Sequence, residues 1–151
     1  MIKACFADQL TENDVVNSVC QYLESDGFTI KQRLTTLQQG DDIVAARSGE
    51  MLYIEAKGAT SAREASARFG RRFDSAQVRV HVAEAVYKAV QVISRPTTGF
   101  RVRAGIALPA NSLHQREVAT VSKLLGDLGI TIFWVSKANE VTVQTHSEKT
   151  H

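Results

Sequence analysis

Gly40-Asp41-Asp42-Ile43-Val44-Ala45-Ala46, followed by Met51-Leu52-Tyr53-Ile54-Glu55-Ala56-Lys57-Gly58, is the stretch that orders the rest of this 151-residue chain. Both runs are short, β-prone and bounded by glycine, the pattern of consecutive strands rather than of a helix. Side chains alternate across a strand, which sets Leu52, Ile54 and Ala56 on one side and Tyr53, Glu55 and Lys57 on the other. Glu55 and Lys57 are then same-face neighbours, about 7 Å apart along the backbone. The apolar surroundings mark these as inner strands, where Asp42, Glu55 and Lys57 are costly unless they pair or bind a cation. Two readings stand side by side here: a structural salt bridge at a sheet end, and a site built for chemistry.

Working outward, residues 11–26 place Val15, Val16, Val19, Cys20 and Leu23 at helical spacing, with Thr11 as N-cap, Asp14 three residues on and Gly27 as the stop. Residues 28–35 read as a further strand, so that 28–35, 42–47 and 51–57 form a meander. Residues 58–73 lack clean periodicity and read as a long loop or irregular helix, a length that in a compact domain is functional or disordered. Residues 75–94 form an amphipathic helix with Val78, Val82, Ala85, Val86, Ala89 and Ile93 as its stripe. Residues 101–109 form a strand with Val102, Ala104, Ile106 and Leu108 on one face. A third helix over 112–128 is expected to be capped by Ser112, with Gln115 three residues later and Gly129 as its stop. Residues 131–136 are an apolar strand, and 141–144 return beside it through Ala138 and Asn139. The order αβββαβαβ(β) defines an α/β fold, a mixed sheet flanked by helices on both faces.

With 44% hydrophobic and 23% charged residues, two prolines and no repeat or linker, the whole of 1–151 reads as one domain with one core. No apolar stretch exceeds a few residues, so none is fit to cross a bilayer. Asp8, Glu12 and Asp14 leave no apolar segment of a secretory leader, and a cytoplasmic location is the expectation. Two cysteines, Cys5 and Cys20, suit a reducing compartment and are too few for a cysteine metal site. No glycine-rich phosphate loop, nucleophile elbow or His/Cys cluster supports a small-molecule α/β enzyme. The net charge of +2 hides an uneven distribution. Between Gly58 and Arg103 nine Lys and Arg face three acids, leaving the middle third at +6 and the remainder at −4. Eight of the nine are arginine, suited to bidentate phosphate contact, which favours an anionic partner such as nucleic acid, although a solvated face has the same composition.

The motif resembles that of the PD-(D/E)XK nuclease superfamily. Asp42 matches its strand-initial Asp, with Asp41 where the family often has proline, and Glu55-Ala56-Lys57 matches Glu-x-Lys residue for residue. The resemblance runs from Thr11 to about Val135 and is nearest to the branches of Holliday junction resolvases and Mrr-like restriction enzymes. It implies a restriction endonuclease-like αβββαβαβ core and a Mg²⁺-dependent deoxyribonuclease, with Mn²⁺ as a substitute, acting on DNA in repair, recombination or defence. Asp42, Glu55, the Ala56 carbonyl and a helix-one glutamate, Glu12, would hold the ion, while Lys57 would serve the attacking water. An acid in a first helical turn also has a purely electrostatic reason to be there. Gln77 would point at the active site, although Asp74 to Gln77 also has capping-box spacing. Arg63, Arg68, Arg71, Arg72 and Arg79, with His81 and Lys88 beside them, would hold the sugar-phosphate backbone. With no room for a recognition domain, target choice falls to branched DNA structure, to a homodimer or to a protein partner. The alternative is a nucleic-acid-binding or interaction domain of the same fold without turnover, a subunit of a larger complex.

Overall fold

Thr11 takes extended backbone and its hydroxyl accepts from Asp14 N at 3.2 Å while Asp14 Oδ2 accepts from Thr11 N at 2.9 Å, a reciprocal cap that starts helix α1 (Glu12–Ser25). The structure, a computed structural model, describes residues 9–34, 40–60, 72–97 and 99–145. Beyond α1 it holds β1 (Thr29–Arg33), β2 (Ile43–Arg47), β3 (Glu50–Ala56), α2 (Ser75–Ile93), β4 (Arg101–Pro109), α3 (Ser112–Asp127), β5 (Thr131–Val135) and β6 (Val141–Gln144). The fold is α/β, and the element order is the one read from the sequence.

The strands form one six-stranded sheet in sequence order, β1-β2-β3-β4-β5-β6. The β1-β2-β3 meander is antiparallel, β3-β4 and β4-β5 are parallel, and β6 returns antiparallel to β5. Parallel neighbours need a crossover, so α2 and α3 must each leave the sheet and come back over a face. Both cover the same face: Val78, Val82, Ala85, Ala89 and Val92 of α2 and Val118 and Leu125 of α3 pack with Ala104, Ile106, Leu108, Ile132 and Trp134. On the other face α1 packs Val15, Val16, Val19, Cys20 and Leu23 against Ile43, Ala45, Leu52, Ile54, Ala107, Phe133 and Val135. Alternation therefore sorts each inner strand between two cores, and Cys20 is buried as its spacing implies. No helix among the described residues is long and apolar enough to cross a membrane.

One cap differs from expectation. Asn111, not Ser112, caps α3: its backbone is extended and its Oδ1 accepts from His114 N at 3.0 Å. Either residue type can cap, and the extended exit of β4 through Pro109 places the non-helical residue at 111.

Candidate metal centre

Register puts the two motif carboxylates together. Ile43 pairs with Ile54 across the antiparallel β2-β3 hairpin, so Asp42, just before β2, stands opposite Glu55 near the end of β3. Both are buried, 8% and 6% exposed respectively. Asp42 Oδ2 accepts a hydrogen bond from Ala56 N at 2.8 Å, which fixes that carboxylate over the end of the strand. The site contact seen for Ala56 is thus through its N–H.

The third carboxylate arrives from α1. Ala59 N and Thr60 N donate to Leu10 O at 2.7 and 3.3 Å, tying the segment after β3 to the residues that begin α1. Gly58 makes the approach possible, since a Cβ there would lie 2.4 Å from Glu12 N and 2.7 Å from Thr11 C. Glu12, half-buried, is the result: Glu12, Asp42 and Glu55 each bring an oxygen within 4.8 Å of the others. The Gly58→Ala variant must push α1 away, and is expected to lose about 1–3 kcal/mol by chemical denaturation. It should also bind divalent cation more weakly, because Glu12 moves with the backbone that carries it.

Burial, and then repulsion from Asp42, raise the Glu55 carboxyl from 4.5 to about 7, even though Lys88 and Lys57 pull it back. Asp42 is raised too, chiefly by burial, against the Ala56 hydrogen bond. Glu55 Oε1 is engaged by Lys88 Nζ at 3.0 Å and Lys57 Nζ at 3.5 Å, whereas Oε2 is buried without a hydrogen-bond partner among the described residues. Lys57 also donates to Glu84 Oε2 at 3.0 Å. Burial lowers the Lys57 pKa, but Glu84, Glu55 and Glu12 outweigh it and the net shift is upward. Glu84 is lowered, first of all by its hydrogen bond from Lys57. Among the described residues, four carboxylates and two ammonium groups thus gather at one end of the sheet. An orphaned buried oxygen beside two further carboxylates offers hard oxygen donors that could hold a metal ion. Burial and the neighbouring Asp42 let Glu55 keep a proton up to about pH 7.

The remaining motif residues divide. Gln77 is half-buried, and its Oε1 accepts from Asp74 N at 2.9 Å while Gln77 N donates to Asp74 Oδ1; that oxygen is used to cap α2. His81 lies on the site side of α2, edge-on to Phe73 at 4.6 Å, with Nδ1 buried and without a hydrogen-bond partner among the described residues. Burial, then the Lys57 charge, lower its pKa, so it is a neutral ring. Arg79 lies elsewhere: it faces α3, where Nε pairs with Glu117 Oε1 at 3.5 Å, beside a groove lined by Val82, Val86 and Val121. One helical turn brings residues 77, 81, 84 and 88 to one face and 79 to another, so Arg79 does not extend a patch over the carboxylates. Arg72 is exposed and forms a bridge with Thr60, and Phe73 N donates to Ala59 O at 2.9 Å. Arg63, Arg68 and Arg71 lie outside the described residues.

Glu84 has no role in the sequence reading, and Lys88, expected at the sugar-phosphate backbone, instead engages Glu55 Oε1. Their i, i+4 spacing after His81 on the same helix face was the available signal. The basic middle is also thinner than its count suggests. Arg95 pairs with Asp41 through two contacts of 3.2 Å, and Arg103 pairs with Glu50 and donates to Thr131 Oγ1 at 3.0 Å.

Compared with protein-family models, curated proteins and solved structures, the chain shows no match. The functional reading therefore rests on the site itself. The weight of Glu12 in it is measurable: Glu12→Gln is expected to lower Mn²⁺ affinity about tenfold, since the charge of the ligand set tunes affinity for hard cations. Equal affinity in calorimetric titration would reduce Glu12 to a helix-terminus charge.

Proposed function

We propose that this chain is a metal-dependent endonuclease that hydrolyses phosphodiester bonds of DNA, with a restriction endonuclease-like core. The observation that carries the proposal is the cluster of half-buried Glu12 with buried Asp42 and Glu55, with its orphaned Glu55 oxygen, two residues from a lysine held as an ammonium. A bound Mg²⁺ would supply Lewis-acid stabilisation of the phosphate and lower the pKa of water. Glu12, Asp42 and Glu55 would hold it, with the Ala56 carbonyl as the further oxygen the family resemblance implies. Lys57 enters as a donor, not a base, because Glu84 and Glu55 keep it protonated. Its N–H groups can orient the attacking water and meet the charge that builds on the phosphate oxygens. His81, neutral beside Lys57, offers a polar edge to the substrate backbone without adding charge. Thr60, four residues after the strand that carries Glu55, bridges to Arg72, and Arg63, Arg68, Arg71 and Arg72 would contact phosphates, positioning DNA without reading sequence. Binding should weaken steeply with salt.

Resolution of a DNA junction, which needs two strands cut, would need two such sites and hence a symmetric homodimer, or a protein partner that supplies the target. The test is incubation of branched, single-stranded and duplex DNA with Mg²⁺ or Mn²⁺. Cleavage of at least one substrate, abolished by EDTA, is expected. Salt-sensitive binding with no cleavage of any of them would instead favour a binding subunit without turnover.

A further inference from the structure

We infer that Lys88 restricts this centre to a single divalent cation by standing where a second would bind; the inference rests on the metal reading above. Glu55 has two oxygens with opposite fates. Oε2 is buried without a partner among the described residues, and Oε1 is held by Lys88 Nζ at 3.0 Å, with Lys57 Nζ at 3.5 Å behind it. Asp42 commits Oδ2 to Ala56 N. Glu12, Asp42 and Glu55 each bring one oxygen within 4.8 Å of the others, enough to share one ion. A two-ion centre keeps its cations roughly 3.5–4 Å apart and needs a further carboxylate oxygen for the second. At Glu55 that oxygen faces an ammonium group, and a divalent ion beside it would meet direct repulsion at short range.

Lys88 comes from α2 and its side chain is 45% exposed, so it reaches Glu55 from the solvent side, the side from which a second hydrated ion would enter. It thereby neutralises Oε1 without burying its whole stem, and Lys57 is left to face the phosphate with no second metal in its place. Lys88 is a positioning residue: it acts on the ligand Glu55, not on the substrate.

The test is Mn²⁺ stoichiometry of the whole chain without DNA, by calorimetry and by electron paramagnetic resonance, with circular dichroism to show that each variant is folded. Wild type is expected to bind one Mn²⁺ with an uncoupled six-line spectrum. Lys88→Glu supplies a carboxylate in place of the ammonium and is expected to bind two, with spin-coupled broadening. Lys88→Gln, which adds no charge, should gain a weaker second ion at millimolar Mn²⁺. Two ions in the wild type, or one ion in both folded variants at all Mn²⁺ concentrations, overturns the role of Lys88 and leaves the metal site standing. No Mn²⁺ bound by wild type overturns the metal reading itself.

Discussion

Glu55→Gln is expected to abolish Mn²⁺ binding, by a factor of at least about 100, and DNA cleavage with it, while making the metal-free protein more stable at pH 8. The first part follows from losing a buried anionic member of the cluster. The second follows from linkage. In the folded protein Glu55 holds its proton up to about pH 7, whereas the unfolded chain releases it near 4.5. Between those values the native state binds more protons than the unfolded state, so stability falls as pH rises and levels off above 7. The gap sets a ceiling of ~3 kcal/mol, from which the lost contacts of Lys88 and Lys57 subtract. Glutamine carries no such penalty, and urea denaturation of the variant should lose the Glu55 share of the downward slope between pH 5 and 7, leaving the contributions of Asp42 and His81. Metal binding by the wild type should take up the same linkage in reverse: below pH 7 it releases a proton, and its affinity rises with pH until Glu55 is ionised. A wild-type stability indifferent to pH over this range, or unchanged Mn²⁺ affinity in the variant, would contradict the assignment.

Lys57→Met is expected to reduce turnover about 10²- to 10³-fold, the loss seen when one preorganised donor to a developing oxyanion is removed, while Mn²⁺ affinity changes less than tenfold. Lys57 is only 15% exposed, and methionine can fill much of the space of its stem. Its charge is fixed by Glu84 and Glu55, so it stays an ammonium throughout the pH range of an assay and contributes no alkaline limb below its ordinary 10.5. The acid limb of the wild-type profile should belong to Glu55 and should move to lower pH as Mn²⁺ is raised. Arg at position 57 should not restore activity, because a planar guanidinium held by Glu84 presents its donors in a different geometry. A folded Lys57→Met enzyme with wild-type turnover would remove Lys57 from the chemistry and leave it a counter-ion of Glu84.

Much of the fold was legible because local periodicity reports backbone state directly. Val15, Val19 and Leu23 can share a face only in a helix, and Leu52, Ile54 and Ala56 only in a strand. The Thr11 cap and the Gly27 stop bound α1 within a residue of where the structure has it, since these are contacts between residues three to five apart. The shift of the α3 cap from Ser112 to Asn111 shows the limit of that logic, because two adjacent residues of equal capping ability are separated only by the exit direction of the preceding strand.

The site was half legible for the same reason. Asp42, Glu55 and Lys57 lie on one hairpin, so strand alternation and a short turn suffice to bring them to one end of it. Glu12, Glu84 and Lys88 reach that end from two helices on opposite faces of the sheet, and no local pattern encodes the distance from either helix to β3. Glu12 comes close because Gly58 lacks a side chain where the backbones meet. Lys88 and Glu84 come close because the crossover from β3 to β4 lays α2 over the motif, rotated so that residues 84 and 88 reach Lys57 and Glu55 from the solvent side while Arg79 turns to α3. Helix rotation is set by which apolar residues the sheet can bury. A charge count along the chain therefore showed an arginine-rich segment, and packing decided which of its cations meet an acid.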